Sequence, residues 1–325
     1  MKAAYITQPG PASSICFGEQ PEPEIGEGDV LIRMEAAAVN HIDTYIRSGA
    51  YALPLPRPFI VGRDLVGVVE RAGGSVTNFQ PGDRVWSNCL GIDGLQGTFS
   101  EYVAAPAERL YHLPAGVGPE QAVAVLHSAL TAAIGLFERA HLQPNETLFI
   151  NGGSGSVGLA VLQAAKGQGA RVAVTAGSPA KADRCRQAGA DCVIDYHNED
   201  LAAAVRAFAP EGVTLYWDAT RLFDMELALQ VLAPRGRMVV MAGLDRHCDL
   251  PLGKFYTRNA CLIGFTVTGT TVDEYARISK RINGWLQNQT LSAFIEQVLP
   301  LSQTAKAHAL QESGQLSGKL VVVPD

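Results

Sequence analysis

Apolar and polar residues alternate in short runs over the first part of the chain, which is the pattern of half-buried β-strands. The runs are residues 1–6, 29–36, 65–71, 84–86 and 100–104. Residues 51–58 contain three prolines and have to form an irregular loop, because proline lacks the amide hydrogen that helices and central strands need. The pattern predicts a β-rich unit up to about residue 118.

The pattern changes at Pro119, a plausible helix start before an alanine-rich stretch. Beyond Pro144 strands and helices alternate. The strand-like runs are residues 148–151, 171–176, 191–195, 213–218 and 237–242, and the helical candidates are 156–168, 179–188, 199–208 and 223–232. Two amphipathic helices, 272–286 and 301–313, and a strand at 319–323 follow. Alternation of this kind predicts an α/β fold with a doubly wound parallel sheet.

One glycine-rich segment carries the strongest chemical signal. It reads INGGSGSVG over residues 150–158, with GxGxxG at Gly153, Gly155 and Gly158. The motif follows a predicted strand and opens a predicted helix, so its free N–H groups and positive dipole end suit a pyrophosphate. We therefore predict that Gly153, Ser154, Gly155, Ser156, Val157 and Gly158 bind a dinucleotide.

The choice of dinucleotide depends on the end of the next strand, about 20 residues further on. An NAD-preferring protein places a carboxylate there for the ribose 2′-hydroxyl. This chain has Thr175 followed by Ala176-Gly177-Ser178, small residues that leave room for a 2′-phosphate, and Lys181 could pair with that phosphate as a point charge. The alternative for Lys181 is a solvated lysine on a helix. The segment favours NADPH over NADH.

Composition narrows the class of protein. The chain has 325 residues, enough for about two domains, with 47% hydrophobic and 18% charged residues. A net charge of −6 argues against a nucleic-acid partner. No apolar run approaches the ~18–20 residues of a membrane span, and the six cysteines form no CxxC pair. We expect reduced thiols and a cytoplasmic location.

Several segments together resemble a known family. Residues 40–51 read NHIDTYIRSGAY, and they are joined by Gly62-Arg63-Asp64, by PGDRV at 81–85 and by the glycine motif. The chain resembles the zinc-free quinone oxidoreductases of the zeta-crystallin type, within the medium-chain dehydrogenase/reductase superfamily. The resemblance covers essentially the whole chain.

The resemblance implies a fold and a domain organisation. A GroES-like β-barrel catalytic domain would comprise residues 1–122 and be completed by residues 267–325. A Rossmann NADPH-binding domain, residues 123–266, would be inserted between them, with the nicotinamide in the cleft. It also implies a homodimer, formed through the apolar strand at 260–265 by sheet extension; the alternative is a strand covered within its own chain.

The resemblance also assigns site residues. Those implied to contact the cofactor, besides the glycine motif and Thr175, are Ile42, Thr131, Lys181, Tyr196, Gly243, Leu244, Phe265 and Val267. Asn40, Asp43, Tyr45 and Tyr51 match the pocket where the substrate meets the reactive ring. Family members can carry an arginine where this chain has Gly314, and Lys319 is the candidate substitute. The alternatives are a core position for Tyr45 and a helix-capping or bracing role for Asp43.

No metal site is predicted. Zinc-containing relatives place a cysteine at the position of Asn40 and a histidine within Gly62-Arg63-Asp64, and the seven histidines show no HxH or HxxxH spacing. Arg63 departs from the family pattern, and the sequence leaves open whether it faces the active cleft or pairs with a surface acid.

The predicted function is NADPH-dependent reduction of a small quinone by metal-free hydride transfer. Two alternatives stay open. One is an alkenal or enone reductase that uses the same pocket, and the other is a low-turnover NADPH-binding structural or sensor protein.

Overall fold

Sixteen strands and nine α-helices make up the computed structural model, which describes residues 1–325. The strands are β1 (Lys2–Ile6), β2 (Cys16–Glu19), β3 (Asp29–Val39), β4 (Phe59–Ile60), β5 (Leu65–Ala72), β6 (Arg84–Ser87), β7 (Tyr102–Pro106), β8 (Tyr111–His112), β9 (Thr147–Asn151), β10 (Arg171–Ala176), β11 (Cys192–Asp195), β12 (Val213–Asp218), β13 (Leu232–Val240), β14 (Cys261–Gly264), β15 (Ile295–Pro300) and β16 (Lys319–Val323). The helices are α1 (His41–Ser48), α2 (Pro119–Ala133), α3 (Ser156–Gly167), α4 (Pro179–Gln187), α5 (Leu201–Phe208), α6 (Met225–Val231), α7 (Leu252–Tyr256), α8 (Val272–Gln287) and α9 (Thr304–Ser313).

The chain divides into two units. Unit 1 comprises Met1–His127 and Thr270–Asp325, and unit 2 comprises Ser128–Gly269. From the sequence we predicted that the inserted domain begins after residue 122 and that the first domain resumes at residue 267. These domain boundaries stay a prediction.

Unit 1 is built around the long strand β3. This strand pairs antiparallel with β5, β7 and the C-terminal strand β16, in the register Leu320 opposite Val39 and Val322 opposite Ala37. A smaller sheet has the order β2-β1-β4. Apolar side chains of β3 such as Ile32 and Met34 are buried in the core. The C-terminal strand β16 therefore belongs to the same unit as the N-terminal part of the chain.

Unit 2 contains a six-stranded parallel sheet in the order β11-β10-β9-β12-β13-β14. Its central strands are almost continuously apolar and buried, as parallel strands with helices on both faces require. Numbered from β9 this is the Rossmann order 3-2-1-4-5-6, which opens a crevice outside the carboxyl ends of β9 and β12. The predicted doubly wound sheet is confirmed.

The hydrophobic pattern missed some elements. Residues 51–58 contain neither helix nor strand, as the prolines predicted. Strand β15 was not predicted because half of its residues are exposed and only Leu299 is buried, so it has no alternating apolar pattern. Helix α1 was not assigned either, although its glycine C-cap, Gly49, is a typical helix stop with a φ of +84°.

One helical segment has the length and composition of a membrane span. It covers Pro119–Arg139, α2 and its π-helical continuation, with a mean hydropathy of 1.3 over its most apolar window, and 78% of that window is buried within the folded chain. Burial of this kind is typical of a core helix.

Candidate functional site

The glycine motif forms a tight turn between β9 and α3 in which two glycines are required by packing. A Cβ atom on Gly153 would lie 2.4 Å from the Val174 side chain, and one on Gly158 would lie 2.2 Å from the Gly152 carbonyl oxygen. Both positions therefore exclude any side chain. Strand β10 lies directly against Gly153, and the first turn of α3 packs at Gly158 onto the glycine turn.

Gly155 is different. It is the exposed N-cap residue of α3, and a Cβ atom there would meet nothing closer than the Gly152 carbonyl oxygen at 3.6 Å. Its backbone angles, φ −75° and ψ 165°, suit any residue. The fold itself does not need glycine here. The open space above Gly155 instead fits a pyrophosphate approaching the N–H groups at the start of α3.

A buried hydrogen-bond network supports the turn from below. Thr175 Oγ1 accepts from the Gly152 N–H at 2.8 Å and donates to Asn151 Oδ1 at 3.1 Å. Asn151 Nδ2 donates to Asp218 Oδ2 at 3.1 Å, and Thr220 donates to the other Asp218 oxygen. Burial raises the pKa of Asp218 above its ordinary value. Thr175 was predicted to contact the cofactor, and here its hydroxyl group holds the turn.

At the end of β10, Gly177 lies against Tyr196. A Cβ atom on Gly177 would be 2.3 Å from the Tyr196 hydroxyl oxygen, so the small residue leaves room for this exposed ring. Lys181 lies in the first turn of α4, which Ser178 caps. Asp195, paired in register with Ala176, accepts hydrogen bonds from His197 and Asn198. No carboxylate stands on the strand end itself.

The other residues predicted to contact a cofactor are divided between the units. Thr131, Gly243, Leu244, Phe265 and Val267 belong to unit 2, where Thr131 is buried and Leu244 is exposed. Ile42 and Lys319 belong to unit 1.

Unit 1 contains a buried charge cluster, formed by Asn40, Asp43, Arg63, Asp64 and Lys319. All five are at most 6% exposed. Asn40 lies at the junction of β3 and α1, and the register of β16 against β3 places Lys319 opposite it. Charged residues are rarely so deeply buried unless they are paired or used.

Asn40 connects the cluster. Its side-chain Nδ2 donates to Asp64 Oδ2 at 3.0 Å and to the Ala38 carbonyl, and its Oδ1 accepts from Lys319 Nζ. Its backbone N–H donates to Asp43 Oδ2 at 2.7 Å, so Asp43 caps α1. Asn40 and Asp43, both predicted as pocket residues, are thus brought together. Lys319 has this partner, and its predicted contact with the cofactor stays a prediction.

Burial governs the protonation of the cluster. It raises the pKa of Asp64 to about 7 and that of Asp43 to about 6, against the opposing effect of Arg63 and Lys319. Burial also lowers the pKa of Lys319 and lowers that of nearby His127 well below its ordinary value. The carboxyl groups therefore titrate within the physiological range.

Arg63 is buried and does not pair with a surface acid, which excludes one of the two alternatives that the sequence left open. Its segment is anchored by Gly62, whose φ is +101° and where a Cβ atom would meet the Phe99 ring at 2.5 Å. Its side chain is 1% exposed, and none of its three guanidinium nitrogens has a hydrogen-bond partner. Sequence reasoning did not assign Arg63 to the site.

The two tyrosines of the predicted pocket are half-buried. Tyr51 packs against the core of unit 1, and its N–H donates to the Tyr45 carbonyl at 3.0 Å. This contact brings the predicted loop residue Tyr51 back onto α1, which carries Tyr45.

The structure contains no group of three or more His, Cys, Asp or Glu side chains arranged to hold a metal ion. The metal-free hydride transfer expected from the sequence stays a prediction.

Comparison with known proteins connects both units to one family. A family model described as alcohol dehydrogenase GroES-like domain matches residues 26–115, and one described as zinc-binding dehydrogenase matches residues 156–283. A quinone oxidoreductase of Pseudomonas aeruginosa is 31% identical over 309 residues, which cover 93% of each chain. The chain belongs to the quinone oxidoreductase family of medium-chain dehydrogenases/reductases.

Solved structures agree with this assignment. The Escherichia coli quinone oxidoreductase complexed with NADPH is 26% identical in sequence to the chain described here. The two structures superpose with a TM-score of 0.88 over 100% of both chains. A 2-haloacrylate reductase is 25% identical with a TM-score of 0.86, again over 100% of both chains.

The glycines of the turn give a first prediction. We expect Gly158→Ala to lower the free energy of unfolding by about 1–3 kcal/mol, because its Cβ atom would overlap the backbone. Gly155→Ala should leave stability nearly unchanged and weaken binding of a nicotinamide dinucleotide at least tenfold. Thermal unfolding without nucleotide and a fluorescence titration with NADPH measure the two effects.

The matched control is Gly284→Ala on α8, where a Cβ atom meets nothing within 4 Å. Gly284→Ala should leave nucleotide affinity unchanged, and it should not lower the free energy of unfolding as Gly158→Ala does. Unaltered nucleotide affinity of Gly155→Ala would contradict the assignment of the turn.

Asp64 gives a second prediction. Since its pKa is raised from 3.8 to about 7 in the folded chain, the unfolded chain releases this proton more easily, and stability should fall as pH rises through that window. Asp64→Asn should therefore show a shallower decrease in the free energy of unfolding over the same window. Urea unfolding at a series of pH values measures the slope.

Asp183→Asn, on the exposed part of α4, is the control and should keep the wild-type slope. Identical slopes for the wild type and Asp64→Asn would mean that Asp64 does not carry this titration.

Proposed function

We propose that this enzyme reduces a small quinone with NADPH, by hydride transfer and without a metal ion. The observation that carries the proposal is Gly155: the fold does not require glycine there, but an approaching pyrophosphate does. The quinone oxidoreductases to which the chain is similar, one of them solved with NADPH, support the same cofactor.

The end of β10 favours NADPH over NADH. Strand β10 does not end in the carboxylate with which an NAD-preferring site holds the ribose 2′-hydroxyl, whereas Lys181 and Tyr196 can contact a 2′-phosphate. Gly314 supplies no side chain, and Lys319 is bonded to Asn40. Lys181 is therefore the cation on which we base the selectivity.

NADPH, when bound, supplies the hydride. The chain's own residues bind the acceptor, orient it and keep water away. The phenolic hydroxyl groups of Tyr45 and Tyr51 can donate hydrogen bonds to an acceptor oxygen. A quinone needs one hydride and one proton to become a hydroquinone, and Asp64, with a pKa of about 7, is a group of unit 1 that can exchange protons at neutral pH.

A second candidate is reduction of an activated C=C bond in an enal, an enone or a related acceptor. The structural similarity to a 2-haloacrylate reductase favours it, since that name describes a reductase of an unsaturated acid. A substrate panel separates the two candidates.

Assembly and location are further parts of the proposal. Strand β14 is an edge strand of the parallel sheet, and its residues Cys261 and Leu262 are exposed. We propose that two copies pair there to form a homodimer, and that the protein is cytoplasmic.

The cofactor proposal predicts that NADPH binds at least tenfold tighter than NADH. Lys181→Gln should reduce that ratio severalfold because the 2′-phosphate loses its cation, while Lys280→Gln, an exposed lysine of α8, should not. Fluorescence titration with both nucleotides measures the ratio. Equal affinities in the wild-type enzyme would exclude the NADPH preference.

The reaction itself is tested with NADPH against quinones, enals and alcohols. We expect turnover with small quinones and none with alcohols. Turnover with enals alone would replace the proposal by the second candidate, and stoichiometric zinc in elemental analysis would disprove the metal-free mechanism.

A further inference from the structure

Arg63 is a buried cation without a partner. Its side chain is 1% exposed, and Nε, Nη1 and Nη2 all lack a hydrogen bond. A buried donor left unsatisfied destabilises the fold, and a charged donor does so more strongly. Folded proteins rarely keep such a group, so its persistence calls for a physical reason.

The groups around Arg63 do not satisfy it. Its charge acts on Asp43, Asp64, Cys89, His127 and Tyr275, all residues of unit 1. Neither carboxyl group forms an ion pair with it, although each keeps one oxygen, Oδ1, without a hydrogen bond.

The carboxyl groups of Asp43 and Asp64 form their hydrogen bonds with Asn40 and not with Arg63. Asp43 Oδ2 accepts from the backbone N–H of Asn40, and Asp64 Oδ2 accepts from the Asn40 side chain. Lys319 is also bonded to Asn40. Asn40 therefore keeps both acids and the second cation in place. The five N–H donors of the guanidinium fork remain available for a planar oxygen ligand.

The cluster also lies next to the segment that we propose to bind the acceptor. Asn40 and Asp43 begin α1, and the same helix carries Tyr45. An oxygen atom held by Arg63 would therefore belong to the molecule that this segment binds.

We propose that the Arg63 guanidinium donates hydrogen bonds to the acceptor oxygen that gains negative charge when the hydride arrives. This inference rests on the proposed function and adds a catalytic residue to it. The acceptor class is a quinone or another conjugated carbonyl compound, whose oxygen becomes an oxyanion before a proton completes the product. Arg63 keeps its own protons throughout, because guanidinium is not deprotonated in proteins. Its buried surroundings strengthen such hydrogen bonds.

The first test is the kinetics of Arg63→Gln and Arg63→Lys with NADPH and a small quinone. We expect Arg63→Gln to lower kcat/KM by about 10²- to 10³-fold, as for the loss of an oxyanion donor. Arg63→Lys, which keeps the charge but loses the fork, should lose less. The dissociation constant for NADPH should stay within twofold, because Arg63 would act on the acceptor and not on the cofactor.

Arg33→Gln is the matched control, since Arg33 is half-exposed and faces Glu70 at 3.7 Å. It should leave kcat/KM unchanged. A lower unfolding temperature with undiminished kcat/KM in Arg63→Gln would overturn the inference, because Arg63 would then be only a structural counter-charge for Asp43 and Asp64.

Chemical rescue tests the same point with a second variant. Adding millimolar guanidinium chloride to Arg63→Ala should restore quinone turnover at least tenfold, while urea, a neutral molecule of similar shape, should not. No rescue by guanidinium in a folded, NADPH-binding variant would count against the inference. Absence of quinone turnover in the wild type would instead disprove the proposed function.

Discussion

The pairing of the C-terminal strand β16 with β3 is the constraint on which the polar site of unit 1 depends. It brings Lys319 opposite Asn40, 279 residues away along the chain. Without this ammonium group the two buried acids would have only Arg63 as a cation, and Asn40 would lose one of the partners that orient its amide. A single strand pairing thus determines both the closure of the GroES-like unit and the geometry of its charges.

The buried charge cluster carries a desolvation penalty that an apolar core would avoid. Two carboxyl groups and two cations are taken out of water, and the arrangement balances charge while leaving the guanidinium unbonded. Buried ionic groups contribute little to net stability compared with apolar side chains, so their presence beside α1 is better explained by chemistry than by folding. The raised pKa values of Asp43 and Asp64 follow from the same desolvation.

The phosphate-binding turn of unit 2 separates structural from functional glycines. Gly153 and Gly158 allow strand and helix to touch, whereas Gly155 keeps a space open. The Asn151, Thr175 and Asp218 side chains hold the turn by hydrogen bonds to its backbone and to each other. A ligand at this place would meet a rigid surface, and little conformational entropy would be lost on binding.

From the residues alone we could predict the alternation of strands and helices in unit 2, the position of the glycine turn and the resemblance to the quinone oxidoreductases. Each of these features lies in short stretches of sequence, where periodicity and spacing depend on neighbouring residues. Three features became visible in the folded chain: Arg63 faces inward, Lys319 donates a hydrogen bond to Asn40, and Gly155 is the glycine with open space above it. Each of these features depends on which distant part of the backbone packs against the residue. The register of sheet pairing determines this packing, and local sequence patterns do not encode that register.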